Sequence, residues 1–375
     1  MMKQILNQSI NDFVRELDAT IDIVSAKSVP AELSLFQGWL SVFYNDIRAN
    51  LKHLAFLTDL DEEDIFTDIF NEFSSLQQLF RLLDARYLPG LYRTHRNDAL
   101  TLKLLHWLHC AHAQTEQKPF FVLDGDFAIL PTVDYPVSYY LPIAAQQSLL
   151  YLPLFFHELG HYLYQHHRAE MDDLVREFQK KLSGYLTPVV RKNDASSQVA
   201  ADRARQKVET WYEWIQELFC DAIGVEIGGL TYVRAFSYYL RMQGRSAFYR
   251  PEKDLFNSSH PITALRILFI ARRCRVLGLV READELEHEW TTIATALGVP
   301  TEYYGFYETN WENDVAQTLN YMITEADPIK FADHAGDPLG WIGIIHVAWQ
   351  EFERSPGKYS EWERLALTSI ISPKV

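Results

Sequence analysis

Apolar residues recur at intervals of three and four along most of this chain, the spacing that places them on one face of an α-helix. Ile5, Ile10, Phe13, Val14 and Leu17 make the first such stripe, and Ser28-Val29-Pro30 breaks it. The pattern resumes from Leu33 to Leu57. Asp59-Leu60-Asp61-Glu62-Glu63 then predicts an acidic start to a further helix, where carboxylates meet the positive end of the helix dipole. Leu88-Pro89-Gly90 breaks the next segment, and Ala99 to His112 predicts another helix.

The periodicity changes at Lys118. Pro119-Phe120-Phe121-Val122-Leu123 and Phe127-Ala128-Ile129-Leu130 flank Asp124-Gly125-Asp126, which predicts a β-hairpin around an Asp-Gly turn. Pro131 and Pro136 predict that the chain beyond the hairpin is irregular or lies on a sheet edge. Helical spacing returns from Ala144 to about Gln165, from Met171 to Leu186, and from Gln198 to Glu226, where Gly228-Gly229 stops it. The polar stretch 191–197 predicts a mobile loop, and a second polar loop spans Gly244 to Ser259. The expected fold is mainly α (α+β). A helical N-terminal region, 1–117, precedes a core at 118–280 with a small β-hairpin or sheet, and a helical region, 281–375, completes the chain.

At 375 residues the chain can bury a sizeable core, and 48% apolar content disfavours disorder. A formal net charge of −15 argues against nucleic acid as the main partner, because phosphate binding calls for clustered lysine and arginine. No apolar run reaches the length of a membrane span, and the N-terminus lacks the pattern of a secretory signal. Cys110, Cys220 and Cys274 are few and widely spaced, as expected of reduced thiols. These features predict a soluble, cytoplasmic protein without a membrane span; they leave the oligomeric state open.

The chemistry concentrates in Phe156-His157-Glu158-Leu159-Gly160-His161, an HExxH sequence inside an apolar, helix-like run. Histidines four apart on a helix face the same point, which suits two ligands of one tetrahedral zinc ion. The intervening glutamate lies beside the metal, where it can take a proton from water. A catalytic zinc usually keeps a third protein ligand. Glu217 fits that role within Trp214-Ile215-Gln216-Glu217-Leu218-Phe219-Cys220-Asp221, with Asp221 four residues on to accept the second ring N–H of a ligand histidine. Glu213, one turn earlier, is an alternative ligand. His167 is another, because it occupies the last position of HExxHxxGxxH, the metzincin pattern, although Tyr164 replaces its glycine. A row at His106, His109 and His112 invites a second metal site, although packing is the simpler reading.

HExxH followed by ExxxD resembles the gluzincin zinc peptidases. Ser259-His260-Pro261-Ile262-Thr263-Ala264-Leu265-Arg266 is similar to the HPxxxxR stretch of the HtpX and CAAX-prenyl-protease branch. That resemblance covers about 120 residues, and the membrane helices common in that branch have no counterpart here. It implies a zincin-like core with His260 and Arg266 near the active site. Ser258 or Ser259 would cap a helix whose first turn holds Pro261. The expected activity is zinc-dependent peptide hydrolysis, with His157, His161 and Glu217 on the metal and Glu158 as general base. Asp221 and Arg266 would support the ligands, and His260 or a tyrosine such as Tyr303 or Tyr304 would assist the oxyanion. A peptide or protein would be the substrate. The competing expectations are a helical regulatory protein that keeps a silent core, and a zinc hydrolase of non-peptide amides.

Overall fold

The computed structural model describes residues 2–58, 65–93, 98–145, 148–186, 195–256, 258–334, 337 and 340–371. The protein is mainly helical with a small three-stranded sheet, and it divides into two compact units, Met1–Gln146 and Gln147–Val375. The predicted acidic helix start at 59–63 lies outside the described residues. No helix among the described residues is long and apolar enough to cross a membrane.

In the first unit, α1 (Met2–Ala26) packs along α2 (Ser34–Thr58), and α3 (Phe66–Arg86) packs on α2. The buried residues of α1, Leu6, Ile10, Phe13, Val14, Leu17, Ile21 and Val24, follow a helical stripe, while Ile5 of the expected stripe is exposed. Helix α1 carries no basic residue in its last turn; Gln37 Nε2 instead donates to Val24 O at 2.7 Å and to Lys27 O at 2.8 Å. The break predicted at Leu88-Pro89-Gly90 is a short helix, α4 (Leu88–Tyr92), with Pro89 in its first turn, where the missing N–H costs nothing. Helix α5 (Asp98–Cys110) comes next.

Strands β1 (Phe120–Asp124) and β2 (Ala128–Leu130) fall where the sequence places them, but they do not form a hairpin. Strand β3 (Val137–Leu141) inserts between them, parallel to β1 and antiparallel to β2. Segment 137–141, expected to be irregular or at an edge, is thus the central strand. Pro136 lies just before its first residue, so it removes no hydrogen bond from the ladder.

The second unit is built on α8 (Ala195–Gly228), a 34-residue helix. Helices α6 (Leu154–His166), α7 (Arg168–Leu186), α9 (Leu230–Leu240), α11 (Thr263–Val276) and α13 (Glu312–Ala326) all pack on it. Short α10 (Glu252–Leu255) precedes α11, and α12 (Val280–Leu297) packs on α11. Helices α14 (Phe331–His334), α15 (Trp341–Arg354) and α16 (Tyr359–Ile371) complete the unit. Gly229 ends α8 with φ +52°, a conformation that favours glycine. Residues 191–194 of the expected loop lie outside the described residues, while Ser196 and Ser197 already belong to α8. Helix α6 starts at Leu154, ten residues later than expected, with Pro153 at its N-cap and turns before it. Almost every side of α6 is buried, so its apolar residues show no single stripe from which a start could be read.

Candidate functional site

Helix α6 carries His157, Glu158 and His161 against α8 through a close crossing at Gly160. A Cβ at Gly160 would lie 2.8 Å from Cys220 Cα, so only glycine lets the two backbones approach this far. That approach brings both histidines to Glu217. His157 Nε2 lies 3.5 Å from Glu217 Oε2, and His161 Nε2 lies 3.6 Å from Glu217 Oε1.

On the far side of the imidazole, His157 Nδ1 sits 2.9 Å from Asp221 Oδ1. Asp221 is itself held from two more directions. Tyr232 OH donates to Oδ1 at 2.8 Å, and Arg266 donates to both carboxylate oxygens at 2.7 Å. The Arg266 guanidinium lies over the Phe236 ring, 4.6 Å from its centroid, and its Nη2 is 3.4 Å from Glu217 Oε2. His260 Nε2 is also 3.4 Å from that oxygen. The histidine is half-exposed, whereas Glu217, Asp221 and Arg266 are buried.

The expected approach of His260 differs in one respect. Helix α11 begins at Thr263 after an extended Ile262, so Pro261 precedes the helix and neither Ser258 nor Ser259 caps it. Ser258 Oγ donates instead to His260 O, and Ser259 Oγ lies 2.8 Å from His260 Nδ1.

These contacts set the charges. Burial pulls the His157 pKa down, but Asp221 and Glu217 outweigh it and raise it to about 9. Burial dominates at His161 and lowers it to about 4. Burial works to raise Glu217 and Asp221, yet both are held below the ordinary carboxylate range, Glu217 by His157 and Arg266, Asp221 by Arg266 and then His157. Glu158 has no such partner. Burial, with a smaller contribution from Glu217, pushes it up to about 7 against the pull of His157. Among the described residues it makes no hydrogen bond or ion pair.

Two groupings of donor atoms here are of the kind that holds a metal ion. Two imidazole nitrogens face one carboxylate in a buried setting, and Glu217 Oε2 is buried without a hydrogen-bond partner. A second grouping overlaps it: donor atoms of His157, His161 and Cys220 lie within 4.8 Å of one another. Burial and the carboxylates of Glu217, Asp221 and Glu158 push the Cys220 thiol up. Its Sγ also fills the space that Gly160 leaves open, so its packing has an explanation without a metal.

The other candidates lie elsewhere. His167 Nδ1 faces Glu325 at 3.5 Å. Glu213 is exposed one turn before Glu217. Tyr303 packs on Tyr307, and Tyr304 faces Tyr249. The row at 106, 109 and 112 is tied up locally: His109 Nε2 lies 2.9 Å from Tyr139 OH, His112 Nδ1 is 2.8 Å from Leu108 O, and His106 Nε2 is 3.7 Å from Cys110 Sγ. Sequence reasoning missed Tyr232 and Phe236, which come after a helix break and share no local spacing with Asp221. Cys220 had a usable signal, since it stands three residues after Glu217 on the same helix. Compared with protein families, curated proteins and solved structures, the chain matches none.

Proposed function

We propose that the protein is a zinc-dependent peptidase with a zincin-like core of the gluzincin type. The observation that carries this reading is the convergence of His157 Nε2 and His161 Nε2 on the Glu217 carboxylate, with Asp221 behind His157. When bound, zinc supplies a Lewis acid that lowers the pKa of water and polarises a carbonyl oxygen. His157, His161 and Glu217 would hold it. Asp221 accepts from His157 Nδ1–H, which presents Nε2 as the free donor and fixes the ring orientation. Arg266 and Tyr232 hold Asp221 in turn. Glu158 takes a proton from the attacking water and delivers it to the leaving amine. His260, exposed at the rim, donates to the developing oxyanion.

One observation favours a scaffold instead. With His157 protonated, His157 and Arg266 balance Glu217 and Asp221 without a cation. The scaffold reading leaves buried Glu158 without a purpose, which is why the peptidase reading is preferred.

Elemental analysis for zinc separates the two. About one zinc per chain is expected in the wild type. His167→Ala and Cys220→Ser should retain it, and Glu217→Ala should lose it. A wild type that takes up no zinc after metal is added back would rule out the enzyme. Loss in Cys220→Ser with retention in Glu217→Ala would move the third ligand to the thiol.

A further inference from the structure

The face of α8 that ends at Glu217 starts much earlier in the helix. Arg203, Gln206, Thr210, Glu213 and Glu217 succeed one another at intervals of three and four, so they share one side. The first four line a groove of about 820 Å³, whose opposite wall is formed by α10 and the segment leading to Ser259. That volume lies within the range of ligand clefts, about 300–1,000 Å³.

The groove is joined to the candidate site at one end. Ser259 Oγ lies 2.8 Å from His260 Nδ1, and His260 Nε2 lies 3.4 Å from Glu217. Glu213, four residues from Glu217, stands at the same end. The lining carries charges of both signs, Arg203, Glu209 and Glu213 on α8 and Glu252 and Lys253 on α10. Glu209 pairs with Arg205 at 3.7 Å, whereas Glu213 makes no hydrogen bond or ion pair with another described residue. Arg203 lies at the far end of the stripe. Helix α8 rises about 1.5 Å per residue, so Arg203 and Glu213 are about 15 Å apart, a span of four or five residues of extended chain.

We propose that this groove holds an extended peptide with a basic side chain beside Glu213, next to the scissile bond, and an acidic side chain four or five residues away, beside Arg203. The inference rests on the peptidase reading for the position of the scissile bond; the charge selectivity of the groove does not depend on it.

The test is fluorescence anisotropy on the full-length Glu158→Gln protein, so that binding is read without turnover. The probes are a labelled decapeptide with Arg and Asp five residues apart and the same peptide with those two residues exchanged. The first should bind about tenfold more tightly near 0.15 M salt, the scale expected of two exposed charge contacts. Adding Glu213→Lys or Arg203→Glu should each weaken the preference, and the two together should reverse it. Both residues are exposed, so the variants should fold, which circular dichroism checks. Equal binding of the two peptides, or a preference that survives both substitutions, overturns the inference. Wild-type cleavage without charge preference overturns it while leaving the peptidase intact. Charge preference with no cleavage by zinc-loaded wild type overturns the peptidase reading and makes the groove a peptide-binding site only.

Discussion

Gly160→Ala adds a single methyl group where α6 meets α8, and its effect can be worked out from the contact it makes. The new Cβ would lie 2.8 Å from Cys220 Cα and 3.1 Å from both Cβ and Sγ of Cys220. The nearest atom belongs to the backbone, so no side-chain rotation relieves the contact. It falls about 0.6 Å short of the 3.4 Å at which ordinary van der Waals contact begins, and the helices must part by roughly that amount. His157 and His161 flank Gly160 on α6, while Glu217 lies on α8. Metal–ligand distances tolerate only about 0.2 Å, so zinc affinity should fall sharply. For stability, alanine in place of glycine inside a helix gains about 0.5–1 kcal/mol, and overpacking costs about 1–3 kcal/mol. The net expectation is a loss of about 1 kcal/mol. Gly184→Ala is the control, since a Cβ there meets nothing within 4 Å and its helix α7 belongs to the same unit. Urea unfolding and zinc content would be measured on both variants. A Gly160→Ala protein that keeps its zinc and gains stability as Gly184→Ala does would refute the reasoning.

Two further outcomes are expected. Arg266→Met removes the partner that donates to both oxygens of Asp221, leaving a carboxylate that is 1% exposed with only His157 and Tyr232. Breaking a buried pair in this way should cost about 3–5 kcal/mol, read by urea unfolding, and a loss under 1 kcal/mol would contradict the network described. His109 is 2% exposed, and burial lowers its pKa to about 3, below the ordinary 6.5. It is therefore neutral when folded but gains a proton on unfolding below pH 6.5. Its stabilising contribution is complete above that pH and should decline by about 1.4 kcal/mol per pH unit as pH falls towards 3. The stability gap between wild type and His109→Gln should shrink by about 1 kcal/mol between pH 6.5 and 5.5, where the unfolded imidazole is still only partly protonated, and a constant gap would show that His109 is not buried as a neutral group.

Much of the helical architecture was legible from residue spacing, and so were His157, Glu158, His161, Glu217, Asp221, His260 and Arg266, but not Tyr232 or Phe236. The buried stripe of α1 and the face of α8 carrying Glu217 and Asp221 come from the 3.6-residue repeat, which is a local property of the chain. The pairing of the strands was not legible. Val137–Leu141 is buried at four of its five positions, so it lacks the alternation that marks a strand with one exposed face, and nothing local says that it will separate β1 from β2. The start of α6 was hidden for a similar reason, because a helix buried on nearly all sides shows no stripe.

The candidate site divides in the same way. HExxH and ExxxD are spacings within single helices, and the sequence alone determined that each would project its polar groups from one face. Which atoms those groups would meet was decided by packing between helices. Gly160 on Cys220 sets the distance from α6 to α8, Arg266 reaches across from α11 to grip Asp221, and Tyr232 returns after the turn at Gly229 to the same carboxylate. Local periodicity specifies a helix and its buried face at short range. The choice of neighbour, and with it the hydrogen bonds that set charge at the site, depends on side-chain volumes and burial that exist only once distant segments have come together.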